Sequence, residues 1–450
     1  MADILALLQC LNTCLSKTVL RQLSHVVFAM LAMTGRMTML GLSRWAGQGG
    51  SYRTVQRFFY TVIPWAQVLW LFFCWHGLDQ GAVYILAGDE CVVTKSGKKT
   101  YGLDRFFSSL YGKAVPGLAF FALSLVSVKE RHSFPVRVEQ VVRSAAEKAA
   151  SQAKHEAQKS QAPAQVRKAG RPKGSRNKNR VEVPLTPELL HIQTMVQDQL
   201  RLMAGLVPLT YLTLDGHFGN KHALRMVRQC DLHLISKLRS DAALYLPYDG
   251  PYSGHGPHRK YGTRLDYRHI PAKYLKQTTV ERQIETRIYQ VQALHKEFAQ
   301  PLSVVVIVKT NRQTGAWAHV ILFSSDLELA YDRLIDYYCL RFQIEFNFRD
   351  AKQYWGLEDF MNVNQTAVTN AANLSLFMVN FAYRLLRDAR QAEPDCSVLD
   401  LKAHFRGYKY VDEMLKLLPQ KPEPVLISHI FSQVACLGRI HAIQPDFGPS

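Results

Sequence analysis

No Cys-x-x-Cys pair occurs in the chain. Its eight cysteines are scattered at positions 10, 14, 74, 91, 230, 339, 396 and 436, which excludes a zinc ribbon and gives no support to a disulfide framework. They read as reduced thiols of a cytosolic protein. Long apolar runs are missing too. The densest, Val68 to Trp75, is bounded by Gln67 and His76 and falls far short of the roughly 20 residues a spanning helix needs. Ala371 to Leu386 is broken by Asn373, Ser375, Asn380 and Arg384. The start, Met1-Ala2-Asp3-Ile4, has an acid where a secretory signal carries Lys or Arg. A soluble protein without a membrane partner is the expectation. His255 and His258 lie in a Gly/Pro-rich loop with no Cys or carboxylate cluster beside them, so no metal role is assigned to them.

Acid is scarce as well. Thirty-six Asp plus Glu face 55 Lys plus Arg, a net charge of +19 over 450 residues, which is the footprint of a polyanion binder. Nucleic acid is the leading partner and an anionic membrane surface the second. Hydrophobic residues at 48% and charged residues at 20% are ordinary globular values and exclude collagen, coiled coil and wholesale disorder.

Residues 1–78 read as a helical DNA-binding domain, with apolar positions at helical spacing through Leu20, Leu23, Val27 and Met30. Thr38 to Trp45 and Ser51 to Tyr60 flank the turn Ala46-Gly47-Gln48-Gly49-Gly50. The pair reads either as a helix-turn-helix, with Arg53, Gln56 and Arg57 offered to DNA, or as two helices of a plain bundle. Strand signals at Val83–Ala87, Cys91–Thr94 and Leu118–Val128 predict three consecutive strands of one buried sheet, the first part of a core over 79–128. Residues 129–184 form a basic linker or insertion. Within it, Arg167 to Arg180 holds seven cations and no acid in fourteen residues and cannot fold alone. Gly170-Arg171-Pro172-Lys173 there reads equally as an AT-hook core for a narrow minor groove or as a solvated linker touching phosphate. The core resumes over 185–238: a helix capped by Thr186 with Pro187 at its first position, a strand Leu209–Leu214, a helix Lys221–Gln229 and a strand Leu232–Leu238. A β-rich insertion occupies 239–323. From Ser325, where Ser325 and Glu328 have capping-box spacing, one helix is predicted to about Tyr354, opening a third core part over 324–390. Residues 391–450 form a C-terminal region.

An apolar strand ending in an acid occurs twice, at Tyr84 to Asp89 and at Tyr211 to Asp215, and sets a carboxylate at the carboxyl edge of a sheet, where α/β sheets bind ligands. Strand alternation turns the adjacent Glu90 to the opposite face. Glu345 adds a third acid from the helix. Hard divalent cations want such oxygen ligands. Tyr338, Arg341, Glu345 and Lys352, at ~100° per residue, fall within an arc of about 60°, so the helix aligns a carboxylate with two cations and a phenol.

The spacing Tyr338-x2-Arg341-x3-Glu345-x6-Lys352, behind two strand-end aspartates and a β-rich insertion, resembles the YREK signature of bacterial insertion-sequence transposases of the IS-four type, a branch of the DDE transposases. The resemblance covers about residues 80 to 360. It implies an α/β, RNase H-like fold: a mixed five-stranded sheet flanked by helices, interrupted by the β insertion ahead of the glutamate helix. It further implies Mg²⁺ (or Mn²⁺), two ions, held by Asp89, Asp215 and Glu345 as the catalytic acids. Tyr338, Arg341 and Lys352 would grip phosphates near the cleaved end, and Trp317 of the insertion is either a stacking partner for a flipped base or a buried strand residue. The partners implied are double-stranded transposon-end and target DNA and a second copy in a synaptic homodimer, in the bacterial cytoplasm near the nucleoid. A DNA-binding derivative without catalysis and another RNase H-like nuclease are the competing expectations.

Overall fold

Ser16, Thr38 and Ser51 each hold an extended backbone and accept, through the hydroxyl, the amide three residues on, at 3.3, 3.0 and 3.4 Å. That satisfies one orphan donor of a helix start and begins α2 (Lys17–Ala32), α3 (Met39–Trp45) and α4 (Tyr52–Tyr60). α1 (Ile4–Leu8) precedes them and α5 (Trp65–His76) follows. The structure, a computed structural model, describes residues 4–108, 111–149, 153, 184–252, 254–420 and 422–441. Among these, no single helix is long and apolar enough to cross a membrane.

Four strands come next: β1 (Tyr84–Thr94), β2 (Asp104–Ser108), β3 (Lys113–Ser127) and β4 (His132–Val141). The two strands expected at Val83–Ala87 and Cys91–Thr94 are one. Gly88, Asp89 and Glu90 keep the antiparallel ladder with Leu123, Ala122 and Phe121 of β3, so Asp89 sits inside a strand and not at its end. Gly88 permits this, because a Cβ there would stand 2.9 Å from both Leu214 and Phe121.

The chain then crosses through α6 (Pro187–Met203) to β5 (Tyr211–Thr213) and through α7 (Lys221–Arg228) to β6 (His233–Leu238). β5 lies parallel to β1 and β6 parallel to β5, giving the contiguous mixed set β4-β3-β1-β5-β6. The sheet does not stop at five strands. β7 (Leu244–Pro247), β8 (Tyr261–Arg264), β9 (Leu275–Glu281), β10 (Ile284–His295), β11 (Leu302–Asn311) and β12 (Trp317–Ser324) extend it to twelve. β12 pairs antiparallel with β6, Ile321 opposite Leu238, which covers an edge that would otherwise expose unpaired backbone groups.

The predicted Ser325–Tyr354 helix is two helices, α8 (Tyr331–Leu340) and α9 (Gln343–Tyr354). Ser325 is not their cap, since its hydroxyl accepts from Leu234 N at 3.1 Å and fastens the end of β12 to β6. At the junction Arg341 and Phe342 keep helical dihedrals, but Phe342, Ile344 and Glu345 donate three residues back, to Cys339, Arg341 and Phe342 at 3.0–3.1 Å. The turn tightens toward 3₁₀ geometry.

α10 (Gln365–Ala392), α11 (Val398–Leu417) and α12 (Pro424–Cys436) close the described chain. One sheet face packs Val93, Phe120 and Ala122 against Ile344 and Phe348 of α9, and that core runs on through Phe377 and Phe381 of α10 into Val27 and Phe58 of the N-terminal helices. The other face packs Leu86, Phe121 and Leu123 on Leu189, Ile192 and Met195 of α6. α8 covers Ile85, Ala87 and Ile235 with Leu334, Tyr337 and Leu340.

Candidate functional site

β1 pairs with β5 only at Leu86↔Leu212 and Ala87↔Thr213. Continuing this register by two residues sets Asp89 beside Asp215, where β5 has ended and the sheet opens. Asp215 caps the short 3₁₀ turn Gly216–Phe218, its Oδ1 accepting from His217 N at 3.1 Å. Its carbonyl oxygen accepts from the buried Ser236 hydroxyl at 2.7 Å. The odd-numbered side of β1 faces α8 and α9, so Asp89 looks toward the tightened turn that carries Arg341.

There the guanidinium binds two acids. Arg341 Nη1 donates to Asp89 Oδ2 at 2.7 Å and Nη2 to Glu345 Oε1 at 3.3 Å. Its Nε is buried without a hydrogen-bond partner. Burial pushes the Asp89 carboxyl up to about 6; Arg341 works against that rise, and the charges of Asp215 and Glu345 add to it. Burial also raises the Tyr338 phenol, whose ring centroid lies 5.9 Å from the Arg341 guanidinium carbon. Lys352, two turns along α9 from Glu345, donates to the backbone oxygen of Val92 at 2.9 Å and pairs with Glu358 at 3.2 Å.

Asp89, Asp215, Arg341, Glu345 and Lys352 all line one cleft of about 1610 Å³. Tyr338 lines an adjoining groove of about 690 Å³, together with Asp215, Lys237, Arg239, His319 and Arg341. The two spaces meet at Asp215, His217 and Arg341. Among the described residues no group of three or more His, Cys, Asp and Glu side chains stands in metal-holding geometry. The donors themselves suit a hard divalent cation, being carboxylate oxygens, and two of the three already hold a positive charge in the form of Arg341.

Other predicted contacts lie apart. Trp317 opens β12, half-buried, stacked on His319 (centroids 5.1 Å, planes 10° apart) with the Arg268 guanidinium 4.9 Å from its ring centroid. Arg53 and Arg57 are exposed on α4, on the side away from buried Val55, Phe58 and Phe59. Arg171 and Lys173 lie outside the described residues.

Strand alternation put Glu90 on the face opposite Asp89, but sequence reasoning missed its partners on that wall of the cleft. Glu90 faces α6, near Glu188 and His217. The His217 imidazole is raised above its usual value, chiefly by its contact with Glu188, 3.8 Å away. The signal available was position: His217 follows Asp215 by two residues in a turn, and Glu188 opens α6. Two aromatics, Phe107 and Tyr111, also line the cleft, and no motif announced them.

A family model described as DDE superfamily endonuclease matches residues 7–300. The match contains Asp89 and Asp215 and ends before Tyr338, Arg341, Glu345 and Lys352. No curated protein matches the chain.

Proposed function

Because the chain belongs to the DDE superfamily endonucleases, we propose that it is a transposase of the YREK-bearing insertion-sequence type. In this reading it binds the terminal inverted repeats of its own element as a homodimer and carries out Mg²⁺-dependent cleavage and strand transfer. The observation that carries the proposal is the shared cleft: Asp89, Asp215 and Glu345, remote in sequence, line one cavity with Arg341 between two of them. The contiguous strands β4-β3-β1-β5-β6, in which only β3 runs antiparallel to β1, agree with an RNase H-like core.

Asp89, Asp215 and Glu345 would hold two Mg²⁺ or Mn²⁺ ions. Bound divalent cations supply an activated oxygen nucleophile and neutralise the leaving oxygen in displacement at phosphorus. The remaining work falls to the chain. Arg341, whose planar fork matches phosphate as well as carboxylate, is placed to turn from Asp89 to the phosphate of a bound end. Lys352 and Tyr338 flank it from either side of the tightened turn. Exposed Arg53 and Arg57 and the net charge of +19 supply phosphate contacts whose affinity falls with salt.

The test is incubation of the purified protein with Mg²⁺ and DNA carrying the inverted repeats that flank its gene. Excision at the repeat ends, abolished in Asp89→Ala, Asp215→Ala and Glu345→Ala while each variant still shifts the DNA, is the expected outcome. A variant cutting at the wild-type rate removes that residue from the site, and binding without any cleavage by the wild type leaves a DNA-binding derivative.

A further inference from the structure

Past the end of β1 the sheet continues as two strands only. β1 pairs with β3 as far as Thr94↔Gly117, whereas β2 follows β3 from Asp104↔Gly117 to Ser108↔Lys113. β4 reaches only to Ala119. A β2–β3 ribbon therefore overhangs the carboxyl edge of β1, beyond Asp89. Two-stranded ribbons are marginal alone in water, and this one is braced at its base. The Arg143 guanidinium lies 4.7 Å from the Phe106 ring centroid and donates to Arg105 O at 3.0 Å. Arg143 and Lys148 both face Asp104 Oδ2, at 3.8 and 3.6 Å.

The braced ribbon presents aromatic rings to water. Strand alternation buries Phe106 and turns Phe107 outward, 66% exposed, and Tyr111, shortly before β3, is 54% exposed. Single exposed apolar side chains are ordinary. Two rings on one anchored ribbon, both lining the cleft that holds the acids, are a feature with a use. The segment that carries them is rich in cations: Lys113 sits on the ribbon opposite Ser108, Lys98 and Lys99 are exposed in the connection from β1 to β2, and between Lys95 and Gly117 the sole acid, Asp104, faces Arg143 and Lys148. Aromatic faces and cations on a segment whose one acid is paired match a nucleic-acid strand, whose bases stack and whose phosphates are negative.

We propose that the β2–β3 ribbon is a stacking arm for unpaired DNA: Phe107 and Tyr111 stack on bases freed from the duplex, and Lys98, Lys99 and Lys113 hold the backbone beside them. The inference rests on the reading of the cleft as a DNA-processing site and adds a substrate form to it, DNA whose strands are parted close to the cut. Phe107 pairs with Ala114, eight residues along β3 from the Ala122 that faces Asp89. At ~3.4 Å per residue the strand path is at most about 27 Å, so the parted bases lie within roughly eight base pairs of the acids.

The experiment uses the full chain in EDTA with two probes of equal length and sequence, a fully paired duplex and a duplex ending in an unpaired eight-nucleotide arm that carries 2-aminopurine. Stacking of one base on an aromatic is worth roughly tenfold in affinity. The wild type should bind the forked probe at least tenfold tighter than the duplex and quench its fluorescence. In Phe107→Ala with Tyr111→Ala the ratio should fall near one and the quench disappear, while Phe107→Trp with Tyr111→Phe keeps both. Each single alanine variant should lose part of the preference, and thermal unfolding checks that each remains folded. Equal binding of both probes by the wild type, or an undiminished preference in the alanine variants, overturns the stacking arm and leaves the transposase reading standing. A wild type that binds neither probe overturns both.

Discussion

Arg341 donates to Asp89 at 2.7 Å and spans to Glu345 at 3.3 Å, so one side chain joins the middle of a strand to the start of a helix. A cation beside the carboxylates opposes the arrival of another. Arg341→Gln should therefore raise affinity for Mn²⁺ by roughly tenfold in a partly screened cleft, measured by electron paramagnetic resonance at pH 8, while weakening the grip on DNA ends. Unchanged or weaker metal binding would count against a shared location.

Asn370 anchors the N-terminal helices. Its amide donates to Phe59 O and Thr61 O, both at 2.8 Å, and its oxygen accepts from Trp65 Nε1 at 2.7 Å, with the residue 1% exposed. Asn370→Leu strands three buried polar groups, and urea unfolding should show a loss of about 3 kcal/mol. A loss below ~1 kcal/mol would mean that the α4–α5 junction finds other partners.

Lys402 gives stability a pH dependence. It is 8% exposed, donates to Met30 O at 2.8 Å and Tyr354 O at 3.3 Å, and burial, with Arg406 adding to the effect and Asp359 opposing it, brings its ammonium from 10.5 down to about 7. The folded state thus releases a proton that the unfolded chain keeps between these values, and stability rises with pH across that window and is lost as pH falls through it. Lys402→Met removes the dependence. The thermal midpoint of the wild type, taken relative to this variant, should be higher at pH 9.5 than at pH 7; a constant difference would show that Lys402 stays charged.

Arg53 and Arg57, one turn apart on the exposed side of α4, are expected to meet phosphate. Replacing both with Ala should lower the slope of log affinity against log salt by roughly two, read by fluorescence anisotropy. An unchanged slope would return α3 and α4 to the role of packing elements.

Caps, alternation and motif spacing were legible in sequence because each is local. Thr186, expected to cap its helix, accepts the amide of Leu189, and the opposed facing of Asp89 and Glu90 follows from the two-residue period of a strand. What escaped depends on partners far along the chain. β1 runs through Gly88-Asp89-Glu90 because β3 lies alongside without interruption, and 239–323 joins the main sheet because β6 offers a free edge. Ser325 looked like a cap from its spacing to Glu328, but it is held by Leu234 N across the sheet. Arg341 was expected to grip phosphate; no spacing rule shows that, without DNA, its nearest anions are Asp89 and Glu345.

Asp89, Asp215 and Glu345 are proposed to serve one divalent-cation site. Fe²⁺ in place of Mg²⁺, with ascorbate and peroxide, cuts a polypeptide only near the bound metal, and needs no knowledge of the DNA sequence. Fragments mapping together to the neighbourhoods of Asp89, Asp215 and Glu345, suppressed by excess Mg²⁺, are expected. Cleavage near the two aspartates but never near Glu345, or no Mg²⁺-sensitive cleavage at all, would contradict the account.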